Sequence, residues 1–224
     1  KLYQISPAPA GLTLITEIDL SEIPDEGDDV GVGDDQSQYE IEDLDLFEEV
    51  DSSAAPGLLV GLMVLYTDDA KEVRAQATGV ADQIESDIIA AIVEANETYK
   101  NSGIDQRLYP AYIGEVSYEE TGDGATDVTA LKEPSDGMLD FVHDELLVKY
   151  PADLTLLVTK TGASGRAYAI MSTVSTQFNL QAYAVSQIFN VRTQLTLPHE
   201  LGHLMGARHD WYADAENESP YSHN

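Results

Sequence analysis

Apolar residues run almost without interruption over 59–67 (LVGLMVLYT), which predicts a strand buried on both faces by flanking helices. The period then changes. Between 80 and 99 apolar side chains recur at Val80, Ile84, Ile88, Ile92 and Ala95, a spacing near four that draws one stripe along a helix. Asn101, Ser102 and Gly103 close it, since glycine commonly follows the last helical residue. Residues 107–117 predict a second strand, 121–124 a turn-rich break, 137–150 a helix and 154–159 a short strand. A glycine-containing loop at 161–165 leads to strands over 166–172 and 182–189, and a helix follows over 191–205. Pro198 lies inside that last helix without a backbone N–H, so the helix either begins near Thr196 or bends at the proline. The order strand, helix, strand, helix, three strands, helix defines an α/β domain.

Residues 1–55 follow a different pattern. One lysine faces a crowd of aspartates and glutamates, and this quarter of the chain carries about half of the net charge of −30. Residues 12–20 alternate enough for a short strand. The run DEGDDVGVGDD at 25–35 cannot bury enough apolar area to offset its ordering entropy and reads as a linker. Residues 39–50 predict a loose helical turn with Leu44, Leu46 and Phe47 as anchors. The chain therefore divides into an acidic tail or linker, 1–55, and a folded domain, 56–224. The acidic run also raises the question of Ca2+, but it lacks the twelve-residue ligand spacing and terminal glutamate of an EF-hand loop, so support for calcium is weak.

With 224 residues, 43% of them hydrophobic, the chain can build one sizeable core. The strong negative charge repels phosphates, which excludes nucleic acid and anionic membrane surfaces as natural partners. No apolar run approaches the roughly 20 residues that span a bilayer. There is no cysteine, hence neither a disulfide nor a thiolate ligand for a metal. The chain begins at Lys1 with no visible signal sequence, and the expectation is a processed product or a fragment.

The chemistry concentrates in His199-Glu200-Leu201-Gly202-His203-Leu204-Met205-Gly206-Ala207-Arg208-His209-Asp210. Two histidines four apart on a helix differ by about 400° of rotation and about 6 Å of rise, so His199 and His203 project from one face toward one metal ion. His209 could not return to that point on an uninterrupted helix. Gly206 tolerates the left-handed conformation that ends a helix and lets the chain turn back. Three imidazoles leave a fourth position on Zn2+ for water, and Glu200, next to the first ligand, is placed to take a proton as that water attacks a carbonyl. The bland reading of the same residues is an amphipathic helix with surface histidines and a capping glycine.

His199, Glu200, His203, Gly206 and His209 resemble the extended zinc motif of the metzincin metallopeptidases, and Asp210 after the third histidine resembles the adamalysin or reprolysin branch, closest to its bacterial secreted members. The similarity extends more softly over 57–210. It implies a mostly parallel twisted sheet with one antiparallel edge strand, 166–172, offered to an extended protein or peptide substrate by strand addition, with the active-site helix below it. It also implies a zinc endopeptidase that is secreted and made as a zymogen. Residues 1–55 would then be the tail of a propeptide, and 56–224 the catalytic domain. Latency cannot use a propeptide cysteine, because there is none.

No methionine follows His209, so the methionine turn of the family is missing; the expectation is a chain truncated before that turn and the lower subdomain, and inactive alone. Two other readings are open: a catalytically silent peptide-binding module with a structural zinc, and an acidic secreted interaction protein. His143 reads as a surface helix histidine, and Tyr168 and Tyr183 as packing residues. Asp210 is expected to hold the turn after His209, Trp211 to pack under the site, and His223 not to be a ligand.

Overall fold

The computed structural model describes residues 2–8, 12–18, 59–162, 164–168 and 178–209. In the N-terminal region, β1 (Leu2–Ala8) pairs antiparallel with β2 (Leu12–Ile18), Ile5 opposite Ile15. The strand expected at 12–20 is thus present, with an unforeseen partner. The linker at 25–35 and the helical turn at 39–50 lie outside the described residues.

The main domain opens with β3 (Leu59–Thr67), whose limits match the apolar run. α1 (Asp68–Thr78) follows at once, capped by the Thr67 hydroxyl, which accepts from Ala70 N at 3.0 Å. α2 (Gln83–Asn101) buries Ile84, Ile88, Ile92 and Ala95 completely, whereas Val80 stands outside it and is exposed. Next come β4 (Arg107–Val116), α3 (Gly124–Lys132) and a turn of π-helix, Val142–Leu146, that runs into α4 (Leu147–Lys149). β5 (Leu154–Thr159), β6 (Gly165–Ala167) and β7 (Tyr183–Gln187) complete the sheet. α5 (Asn190–Thr193) and α6 (Thr196–Leu204) end the described chain.

The five strands lie in the order β4-β3-β5-β7-β6, all parallel except β6, which runs antiparallel to β7 at the edge. This is the expected α/β architecture, with one antiparallel edge strand. Each face carries its own core. Leu62, Val64 and Tyr66 of β3 meet the apolar stripe of α2 and Leu197, Leu201 and Leu204 of α6. Met63, Leu65, Leu157 and Val185 on the other face meet Val128 and Leu131 of α3 with Val142 and Leu146 of the π-helical turn. The three leucines of α6 are fully buried, and such side chains contribute about 1.5–3 kcal/mol each. No helix among the described residues is long and apolar enough to cross a membrane.

The structure departs from expectation in three places. α1 carries no apolar stripe, burying only Ala70, and so left no periodic signal. α3 follows the expected turn at a stretch where no element was expected, started by Asp123, which accepts from Ala125 N and Thr126 N; the helix expected over 137–150 begins three residues later, at 140, and passes through a π-helical turn. The helix expected over 191–205 is two helices, broken where Leu195 adopts φ 55°.

A buried ion cluster ties α1, α2 and α5 together. Asp87 accepts from Arg74 Nε at 2.5 Å, from Arg192 Nη1 at 3.4 Å and from Gln83 Nε2 at 3.1 Å, while Arg192 Nη2 also reaches Glu94 at 2.6 Å. Asp87 is 2% exposed. Replacing it takes the carboxylate from Arg74 and leaves Arg192 with Glu94 alone, in a mostly dry site, so Asp87→Asn is expected to lower unfolding free energy by about 3 kcal/mol, read from urea melts. A loss below about 1 kcal/mol would show that solvent reaches the cluster.

Candidate metal centre

The site is built on α6, and its first turn explains the proline. Pro198 is the third helical residue, where no intrahelical acceptor exists for an N–H, so the missing donor costs nothing and the helix starts at Thr196 without a bend. His199 N then donates to Leu195 O at 3.1 Å. At the other end the helix stops at Leu204, Gly206 takes φ 98°, and Ala207 N donates back to Gly202 O at 2.8 Å. That reversal carries His209 back toward the helix.

The three imidazoles converge. His203 Nε2 lies 2.9 Å from His199 Nε2 and 3.1 Å from His209 Nε2, and the latter two are 3.3 Å apart. Among the described residues these three form a group able to hold a metal. The donor set fits zinc on two grounds. Nitrogens at about 2.0–2.1 Å from a tetrahedral Zn2+ stand about 3.3 Å from one another, close to the spacing seen. His203 Nδ1 lies 2.9 Å from Ala207 O, and a carbonyl can only accept; the ring proton therefore sits on Nδ1 and Nε2 presents its lone pair to the shared point.

Around this centre are residues that the sequence alone did not mark. Tyr99 of α2 donates its hydroxyl to Pro198 O at 3.1 Å and so fixes the first turn of α6. Burial pushes the Tyr99 phenol well above its ordinary range, which keeps it a donor throughout the physiological range. Glu200, 1% exposed, lies between α6 and β6, facing the backbone of Gly165. Glu120 secures the loop that leads into β6. Its carboxylate accepts from Thr67 Oγ1 at 2.5 Å, Lys160 N at 2.7 Å, Thr161 N at 2.8 Å and Thr161 Oγ1 at 2.7 Å. In the sequence Glu120 is one more acid in a turn-rich stretch, and only tertiary contacts distinguish it.

The remaining candidates are placed as follows. Tyr183 is buried packing, as expected. His143 is not a free surface residue: half-buried on the π-helical turn, its Nε2–H donates to Leu131 O at 2.9 Å and its ring packs against Tyr183. β6 ends at Ala167 in the described chain, short of the expected 166–172. Asp210, Trp211 and His223 lie outside the described residues.

Residues 60–224 match the sequence profile of Metallo-peptidase family M12. The whole chain also aligns with two proteins named peptidyl-Asp metalloendopeptidase: 27% identical over 233 residues in Xanthomonas campestris pv. campestris, and 26% identical over 223 residues in Stenotrophomonas maltophilia. The chain spans about half the length of each of these relatives. Among solved structures, metalloproteinase-II from Bacteroides fragilis superposes with a TM-score of 0.47 at 16% identity, covering 71% of this chain and 46% of that one.

If the three nitrogens share one ion, metal analysis after dialysis should return about one zinc per chain, and His203→Ala should return far less. Full retention of zinc by that variant would move the metal to another part of the chain.

Proposed function

The chain belongs to metallopeptidase family M12, and from that premise we propose that it is the zinc-binding part of an endopeptidase. The observation that carries the reading is the convergence of His199, His203 and His209 beside a buried glutamate on the same helix. His199, His203 and His209 would hold the ion through Nε2. A zinc ion there supplies Lewis acidity, polarising a carbonyl and water. Glu200 takes a proton from the attacking water and returns it to the nitrogen of the departing amine. The Nδ1–H bond of His203 to Ala207 O keeps that ring from rotating. Among the described residues β6 pairs with β7 on one side only, and its other edge receives an extended peptide by strand addition, aligning the bond to be cut with α6.

A silent module with structural zinc is the weaker reading. Structural zinc sites are usually closed by four protein ligands, and the cluster among the described residues supplies three. The named activity of the relatives extends the proposal to bonds flanked by aspartate. A carboxylate side chain needs a cation in a protein this acidic, and Arg208, half-buried and next to His209, is a cation close to the three imidazoles.

Glu200→Gln in the full-length protein should keep its zinc and lose about 10²–10⁴-fold in kcat on a peptide substrate. Unchanged turnover would remove Glu200 from the mechanism. Paired peptides that differ only by Asp or Asn beside the cut should separate in kcat/KM in favour of Asp, and this preference should shrink in Arg208→Gln; equal rates for the pair would sink the aspartate reading.

A further inference from the structure

Gly165 sits where the edge of the sheet crosses the first turn of α6. A Cβ built on it would stand 2.5 Å from Glu200 Oε1 and 2.8 Å from Glu200 Cγ, and would overlap the methyl group of Thr196. Ordinary contacts between such atoms are about 3.5–4.0 Å. Gly165 is not among the residues with positive φ, so its backbone angles would accept any side chain. Space, not conformation, demands glycine here.

Neither backbone can retreat. Ser164 O accepts from Gln187 N at 3.0 Å, Gly165 is in register with Ser186, and the preceding loop is fastened by Glu120. α6 is held by Tyr99 at Pro198 O and by its three buried leucines. Any atom added at position 165 must therefore be absorbed by the side chains of Thr196 and Glu200. Glu200 is enclosed, with 1% of its surface exposed, so its carboxylate would be displaced along the site.

We infer that Gly165 is a positioning residue for Glu200: the missing side chain is the slot that sets where the carboxylate stands. The inference rests on the endopeptidase reading above and deepens it. β6 is also the strand that receives the peptide in that reading, so one stretch of backbone fixes both the substrate and the group that moves its proton.

The test is Gly165→Ala in the full-length protein, made in a Thr196→Ser background. Serine removes the methyl group that a new Cβ would strike first and keeps the hydroxyl, so the remaining overlap is with Glu200. Relative to Thr196→Ser alone, the added alanine should leave zinc content unchanged and KM within about twofold, and lower kcat by about 10–100-fold, the scale of a catalytic group misplaced by an ångström. A second readout needs neither metal nor turnover. In metal-free protein, Gly165→Ala should lower Tm more with Glu200 present than with Glu200→Ala, because the overlap is then relieved.

Equal Tm losses in the two backgrounds, or an undiminished kcat, would overturn the inference. A protein that shows the Tm coupling while the wild type cleaves no peptide would instead refute the endopeptidase reading and leave the contact standing. If the alanine variant fails to fold with Glu200 but folds with Glu200→Ala, the overlap is confirmed in its most severe form.

Discussion

Everything at the centre hangs from a nine-residue helix that is forced out of the helical path at both ends. Leu195 opens it at φ 55° and Gly206 closes it at φ 98°. The second is costless, since glycine populates that region freely. The first is not: a leucine in the left-handed region gives up about 1–2 kcal/mol. The return comes from packing. The reversal at Leu195 lets α6 leave α5 and lay Leu197, Leu201 and Leu204 against the sheet, and burial of three leucines outweighs one strained residue. With that face committed to the core, His199, His203 and the returning His209 have one direction left in which to meet.

The parts of this arrangement that were readable in the sequence are those governed by local geometry. Helical spacing brings His199 and His203 to one face, glycine permits the turn at 206, and continuous apolarity marks β3 from its first residue to its last. What escaped was governed by contacts distant in sequence. α1 has no apolar stripe because only Ala70 reaches the core; its stability comes from the Thr67 cap and from ion pairs such as Arg74 with Asp87. Glu120 looks like any acidic turn residue until its carboxylate is seen accepting from strand ends about forty and fifty residues away. Gly165 looked like an ordinary loop glycine. Its meaning depends on what stands opposite, and no spacing rule reveals a neighbour across the sheet.

Charge has a similar double life. A net charge of −30 is a property of the surface and of the first quarter of the chain, and it governs which partners can approach. Inside the domain the scarce cations are placed with purpose: Arg74 and Arg192 neutralise Asp87, Lys160 reaches Asp69, and Lys71 pairs with Glu115. Of these, the Asp87 cluster has structural consequence, because it is sheltered from solvent while pairs such as Lys160 with Asp69 are exposed and worth little. Through Arg192 the cluster also holds α5, so it anchors the segment from which α6 departs.

The antiparallel edge strand follows from the same economy of contacts. A parallel strand at this edge would need a long crossover, whereas β6 is reached by the short loop 160–164 fastened by Glu120. Three residues suffice, since β6 need only pair with β7 and pass over α6. A strand this short is a poor template for unwanted sheet pairing, and on the proposed reading its outer backbone groups would be the ones offered to a peptide. Its brevity also forces a choice of side chains: Gly165 and Ala167 must both face α6, and the larger of the two positions is not the one above Glu200. An alternating strand can keep bulk on its far face, where Arg166 stands, without crowding the helix. On the endopeptidase reading proposed above, the edge offered to a peptide would be thinned where it crosses the Glu200 carboxylate, so that main-chain packing would set the distance between the two.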